Sequence, residues 1–436
     1  MEKISDDSAL GATEVRRRHI VLKAILVGVL AGALGAAFRL ALQIAESARA
    51  QAIAAAAGPW ALVAGIAIGV VGGALGVWLV WRFAPHAAGS GIPHLKGVLE
   101  RQAEPEWKRL LPVKFIGGVL GIGGGLALGR EGPTIQMGGA TGAMVASWLR
   151  VRAGEGERRA LMSAGAGAGL AAAFNAPLSG LVFVMEELHG NFTPVLFVAA
   201  FLASVSGDVV GRLMINELPV FHLSGIAAPG LSSLPWAALL GGALGLFGVA
   251  FNRVLLGSMN LHDRLRHWPG WVLGAIAGGT IGLAAWFLPG LAGSGGHLVQ
   301  AALAGELALY LVPVFVLARF GATMLSYASG AAGGIFAPLL VLGALAGLWF
   351  GSGVHALVSN PGLTPAVFCV LGMGAMFTAV VRAPLTGIVL MVELTGTYGF
   401  MLPLLVSCMA AYGVAELLGN MPIYEALRER SLRPSR

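Results

Sequence analysis

Long apolar stretches, broken by glycine and proline rather than by polar loops, leave this chain few folds to choose from. The stretches fall at about 20–45, 59–83, 110–128, 133–150, 160–173, 177–189, 193–213, 234–257, 270–288, 310–328, 336–358, 364–380, 383–396 and 400–418. A simple bilayer span takes roughly 20 apolar residues, and several of these are shorter. Lipid offers the backbone no hydrogen bonds, so helices span it, and breaks survive only where protein or a water-filled cavity surrounds them. The pattern predicts an all-α polytopic membrane protein with broken helices. Charged residues are 11% of the 436, against roughly 25% in a soluble domain. Sixty-six glycines suit close helix packing in a membrane.

The net charge of +7 does not make a nucleic-acid face, because the excess arginine sits at segment ends, in Arg16–Arg18, Arg152–Arg159 and Arg428–Arg436. Basic flanks mark the cytoplasmic side, which places both termini there. Cys369 and Cys408 lie in apolar runs and read as buried thiols, with no disulfide framework. The first apolar run, from Ile20 to Ile44, is too long for a cleavable signal and is broken by Lys23 and Arg39.

The chain repeats itself. Gly89-Ser90-Gly91 matches Gly293-Ser294-Gly295 at an offset of 204, and Gly129–Pro133 matches Gly334–Pro338 at 205. Ala176-Pro177-Leu178-Ser179-Gly180 matches Ala383-Pro384-Leu385-Thr386-Gly387 at 207, and the match extends to Glu186 against Glu393. Three matches in order at nearly one offset indicate an internal duplication. The expected divisions are an N-terminal segment 1–19 with a short helix at 12–19, repeats at 20–215 and 234–428, a linker at 216–233 and a tail at 429–436. Periodicity leaves open whether the repeat is parallel or inverted. Short, interrupted apolar segments at matching places in two halves point to a transporter site.

Gly129-Arg130-Glu131-Gly132-Pro133 is the most constrained of these breaks. Phe115–Leu128 before it and Thr134–Leu149 after it carry no charge. A carboxylate at that depth is costly and is by default a functional-site hypothesis; a structural ion pair with Arg130 is the alternative. Free amides ahead of a proline-started helix favour an anion. Three further breaks have the same character: Gly89-Ser90-Gly91-Ile92-Pro93, Gly333-Gly334-Ile335-Phe336-Ala337-Pro338, and Tyr424 in Met421-Pro422-Ile423-Tyr424. Amides and hydroxyls can pass an anion through a low-dielectric slab without trapping it as full charges would. Each alone has a plainer reading, as a turn, a helix start or an interfacial tyrosine. Glu186 and Glu187 close another apolar helix; they read either as solvated interfacial carboxylates or, with Glu131, as a proton route whose pKa values desolvation raises.

These motifs together resemble the CLC family of chloride channels and chloride/proton exchangers, the bacterial exchangers above all. The resemblance spans about 16–430 and rests on GSGIP at 89–93, GREGP at 129–133, NAPLSGLVFVMEE at 175–187, GGIFAP at 333–338, RAPLTG at 382–387 and Tyr424. It implies two inverted-topology repeats with broken and tilted helices. It also implies a homodimer with one pathway per subunit, in the bacterial inner membrane. It implies that Ser90 and Tyr424 bind the central chloride through hydroxyls, and Ile335 and Phe336 through amides. Amides near Arg130 to Gly132 would line an outer site. Glu131 would be the gate and Glu187 the inner proton-transfer glutamate, with Glu186 beside it. No cofactor is implied, and chloride is bound as substrate.

Ser90 fits the chloride-type pattern, where nitrate-selective relatives tend to have proline, and an acid at 187 fits the exchangers rather than the channels. His94 and Lys96 stand where close bacterial exchangers tend to have acids, which changes the charge near the inner vestibule. The chain ends twelve residues after Tyr424, which leaves no room for the nucleotide-binding module of many relatives. A passive chloride channel of the same fold is the first alternative. An intramembrane hydrolase using Ser90 or Ser329 with His86, His94 or His189 is the second, against which stands the lack of a GxSG or HExxH match.

Overall fold

The computed structural model describes residues 3–151, 156–215, 221, 229–265, 268–358, 360 and 362–432, and of residues 3–19 the backbone alone. Most of the linker expected at 216–233, the end of the tail at 429–436, Arg152 and the side chains of Arg16–Arg18 fall outside them. The described residues form seventeen α-helices. The first half holds α1 (Lys3–Ala55), α2 (Pro59–Phe83), α3 (Ile92–Leu99), α4 (Trp107–Gly124), α5 (Glu131–Trp148), α6 (Gly156–Phe174), α7 (Pro177–Phe183) and α8 (Pro194–Met214). The second holds α9 (Leu234–Arg264), α10 (Gly270–Phe287), α11 (Gly296–Ala304), α12 (Val312–Ala328), α13 (Phe336–Leu357), α14 (Pro365–Val381), α15 (Pro384–Thr395), α16 (Met401–Leu417) and α17 (Ile423–Leu432). The separate short helix expected at 12–19 is instead continuous with the first span in α1.

Seven helical stretches are long and apolar enough to cross a membrane: Ile20–Ala55, Pro59–Phe83, Pro194–Met214, Leu231–Arg264, Gly270–Phe287, Phe336–Leu357 and Tyr398–Leu417. The protein is a multi-span integral membrane protein. Its core is built where glycines let helices touch backbone to backbone. In α2 and α10, Gly69 lies against Gly278 and Gly73 against Gly274, so close that a Cβ on any of them would strike the facing carbonyl. The same holds for Gly138 and Gly142 of α5 against α6, and for Gly343 and Gly347 of α13 against α14.

These contacts display the symmetry that periodicity left open and the family resemblance implied. An offset of 205 carries Gly69 to Gly274 and Gly73 to Gly278. The contact of Gly69 with Gly278 thus maps onto that of Gly274 with Gly73, as across a two-fold axis. Moving up α2 moves down α10, so equivalent helices run antiparallel. An axis that reverses a span lies in the membrane plane, and the two repeats have inverted topology. The α5–α6 and α13–α14 pairs are likewise equivalent.

Candidate functional site

The axis passes close to the Glu131 break. Gly129 and Gly334, equivalent in the two halves, form an antiparallel bridge, with Gly129 N donating to Gly334 O at 2.7 Å and Gly334 N to Gly129 O at 2.8 Å. Each strand end leads straight into a helix, α5 at Glu131 and α13 at Phe336. Two helix N-termini therefore meet end to end inside the membrane. Their first amides have no acceptor within their own helices, and their dipoles add at one point.

Glu131 occupies that point. Its carboxylate is buried, and Oε2 accepts a hydrogen bond from Ala337 N, in the first turn of α13, at 3.3 Å. A carboxylate of one half thus sits as the anion on the helix end of the other. Arg130 Nε stands 3.8 Å from Oε1, too far for a hydrogen bond. Arg39, on α1, is also near enough to act on the Glu131 charge, and its Nη1 donates to Asn175 Oδ1 at 3.0 Å. The ion pair offered as an alternative is a loose one, and the amide of α13 is the closer partner.

Ser90 lies beside this carboxylate. A Cβ on Gly132 would stand 2.8 Å from Ser90 Cβ and 2.9 Å from Ser90 O, so Gly132 is what lets the two breaks touch. Gly89 and Gly91 flank the serine at φ +61° and +77°, a left-handed backbone that favours glycine. Ser90 Oγ is buried, accepts from Ile92 N at 3.4 Å and lies within hydrogen-bonding reach of the Tyr327 hydroxyl. Tyr424, in the first turn of α17, is fully buried, and its Oη has no hydrogen-bond partner among the described residues. It lies close enough to Glu131, Glu187 and Tyr327 to feel all three. Leaving a buried hydroxyl unpaired costs about 1–3 kcal/mol. Ile335 and Phe336 are buried at the start of α13, and the Phe336 ring packs on Phe174 and Phe377.

Glu186 and Glu187, adjacent in the chain, turn to different partners. The chain widens after α7 into a π-helical turn, Val184–His189, a feature often found at functional sites. Glu186 turns to the other half, where its carboxylate accepts from Leu385 N (2.9 Å), Thr386 N (2.7 Å) and Thr386 Oγ1 (2.7 Å). Glu393 does the same in reverse with Leu178 N (2.9 Å), Ser179 N (2.7 Å) and Ser179 Oγ (2.5 Å). Each acid caps the proline-started helix of the opposite repeat, so neither is a free solvated group. Glu187 instead pairs with Lys96 Nζ at 2.9 Å.

Several residues that hold the site went unread in the sequence. Lys114 is fully buried on α4 and donates to Ala87 O (2.9 Å) and Gly89 O (2.7 Å), clamping the Ser90 loop. Arg319, 205 residues on, clamps the second such loop through Leu291 O (2.5 Å) and Gly293 O (2.7 Å). Tyr327 Oη accepts from Ser90 N at 3.5 Å. A lone cation in an apolar run signals a buried role, but nothing in the sequence says which carbonyls it meets. The groups named for a hydrolase are engaged elsewhere. Ser329 Oγ donates to Ser326 O at 2.7 Å, His86 and His94 stack at 4.7 Å, and His189 bonds Ser163 at 2.6 Å.

Comparison with known proteins agrees with this geometry. A family model described as Voltage gated chloride channel matches residues 72–416. The chain is 41% identical over 367 residues to the H(+)/Cl(-) exchange transporter ClcA of Vibrio parahaemolyticus, covering 82% of this chain and 78% of that one. To the ClcA of Yersinia pestis it is 40% identical over 364 residues, covering 82% and 76%. Among solved structures, a slow cyanobacterial Cl-/H+ antiporter superposes with a TM-score of 0.90 at 37% identity, covering 95% of this chain and 98% of that one. A CLC-type fluoride/proton antiporter, at 21% identity and a TM-score of 0.78 over 92% and 96% of the two chains, shares the fold.

Proposed function

The chain belongs to the voltage gated chloride channel family, and we propose that it is a secondary active antiporter that exchanges chloride for protons, with Glu131 as its gate. The observation that carries this is the seat of the Glu131 carboxylate on the Ala337 amide, where two helix N-termini meet. Those amides attract an anion. Chloride and a charged carboxylate compete for them, and a protonated carboxyl loses the contest and swings away. A proton thus clears the path for chloride, and chloride leaving lets the carboxylate return. That exchange couples the two ions without any other energy source.

In this reading the Ser90 and Tyr424 hydroxyls and the amides of Ile335 and Phe336 hold the central chloride. Amides from Arg130 to Gly132 line the outer position. The burial of the Ser90 hydroxyl and the Tyr424 Oη, which has no partner among the described residues, support it. Glu187 passes protons to and from the inner side. The chain works without a resident cofactor and carries out no enzymatic step. We place it in a bacterial inner membrane with both termini cytoplasmic, as a homodimer, in keeping with its family.

The test is purified protein in liposomes with a chloride gradient and no proton gradient. An antiporter drives protons uphill, and its reversal potential moves with pH. A passive channel ignores pH, and that result would replace this proposal with the channel alternative.

A further inference from the structure

Lys96 sits where an ion-pair ladder runs from the protein interior to solvent. Its Nζ is 2.9 Å from Glu187 Oε1 and 3.7 Å from Glu425 Oε2. Arg428 then pairs with both Glu425 and Glu100. Side-chain exposure is lowest at the inner end, 7% at Glu187 and 13% at Lys96, and higher at the outer carboxylates, 29% at Glu425 and 43% at Glu100, with Arg428 between them at 15%. The ladder ties three elements together: α3, which begins just after Ser90; α17, which carries Tyr424; and the π-helical turn that carries Glu187. The charged or titratable groups that act on Glu187 are Lys96 from α3, Glu425 and Tyr424 from α17, and Glu186 from its own turn. Among these Lys96 is the single cation. Glu186 is held by the amides of α15, and His189 on the same turn by Ser163.

We infer that Lys96 is a latch on the inner proton path: a positioning residue that binds the Glu187 carboxylate and loosens its hold when that carboxyl takes a proton. The inference rests on Glu187 being the inner proton-transfer glutamate and goes beyond it. Lys96 holds Oε1 alone, and a proton arriving at the Glu187 carboxyl cancels the negative charge that binds the ammonium. Lys96 has a second acceptor, Glu425, at 3.7 Å and closer to solvent. When Glu187 is protonated the ammonium moves outward to Glu425, and when Glu187 gives up its proton the pair re-forms. No charge is stranded in either state. Protonation balances simply: one proton arrives from the aqueous side, one carboxylate is neutralised, and the lysine stays charged. Because α3 and α17 also position Ser90 and Tyr424, the latch sits on the same two helices as the hydroxyls proposed for chloride.

The experiment compares wild-type protein with Lys96→Met, Lys96→Gln, Lys96→Arg and Glu187→Gln in liposomes. Proton and chloride fluxes are recorded against pH on the side facing Glu425. Removing an opposite charge at this distance raises the pH at which protonation occurs by about 1 unit or more. The half-maximal pH of proton flux in Lys96→Met and Lys96→Gln therefore moves upward by about that much, while Lys96→Arg restores the wild-type profile. A lysine that merely braces the fold would lower both fluxes together and leave the profile in place. That result, or a Met profile that overlays wild type, overturns the latch. If Glu187→Gln still pumps protons, the reading of Glu187 itself fails, whatever Lys96 does. If Glu187→Gln stops pumping and the Lys96 variants leave the profile unmoved, the latch alone fails.

Discussion

Glu186 and Glu393 are equivalent residues of the two repeats, and they do the same work, each capping the first turn of the other half's helix. Glu131 and Phe336 are also equivalent, 205 residues apart, and they differ completely: one is a carboxylate laid on the opposite helix end, the other a ring packed between Phe174 and Phe377. Glu187 likewise has Leu394 as its counterpart at the offset of 207. The loops diverge too. The amide of Ser90 faces a phenol oxygen, Tyr327 Oη, at 3.5 Å, whereas the amide of Ser294 faces a carboxylate, Glu46 Oε1, at 3.5 Å. The repeats agree where they hold each other and differ at the positions proposed for the proton and the anion. Two-fold contacts can be met by one residue type used twice. A titratable gate cannot be doubled cheaply, since two buried carboxylates at one point repel each other and cannot both ionise.

The clamps are the place where this comparison breaks most visibly. Lys114→Met and Arg319→Met each strand two buried carbonyls, and each should cost about 3 kcal/mol of stability, read as thermal unfolding in detergent. Lys114→Met should in addition weaken chloride binding about tenfold, because Lys114 holds the Ser90 loop, while Arg319→Met should leave affinity nearly unchanged. Equal losses of affinity would mean that the second loop also serves the anion.

The reciprocal caps sharpen the other side of the comparison. Glu186→Ala and Glu393→Ala should each cost about 1.5–3 kcal/mol, by similar amounts, with the chloride-to-proton ratio of the folded protein unchanged. A shift in that ratio for Glu186→Ala alone would put Glu186 on the proton route. The smallest effect is expected at Tyr424. Tyr424→Phe removes a hydroxyl that meets no acceptor among the described residues, so chloride-free stability should not fall. Chloride affinity, by calorimetry, should drop about fivefold, the worth of roughly 1 kcal/mol for one hydrogen bond.

Much of this was legible in the chain. Glycine and proline breaks, three matches at nearly one offset, and a carboxylate amid apolar residues located the duplication and Glu131 before any contact was known. The direction of the duplication was not legible in the periodicity; the resemblance implied inversion, and the pairing of Gly69 with Gly278 and of Gly73 with Gly274, contacts between distant residues, displays it. The fate of Glu186 was hidden for the same reason: two adjacent glutamates look alike until the wide turn sends one to α15 and the other to Lys96. Lys114, Arg319 and Arg39 showed only as charges in apolar runs, because their partners are carbonyls and an amide that no side-chain pattern marks.

The central claim is that the Glu131 carboxylate competes with chloride for one set of amides and couples the two ions by doing so. Proton and chloride movement measured together in liposomes, for wild type and Glu131→Ala under a chloride gradient, tests it directly. The account predicts that wild type drives protons uphill and that Glu131→Ala carries chloride with no proton movement at any pH. Proton pumping that survives in Glu131→Ala would contradict it.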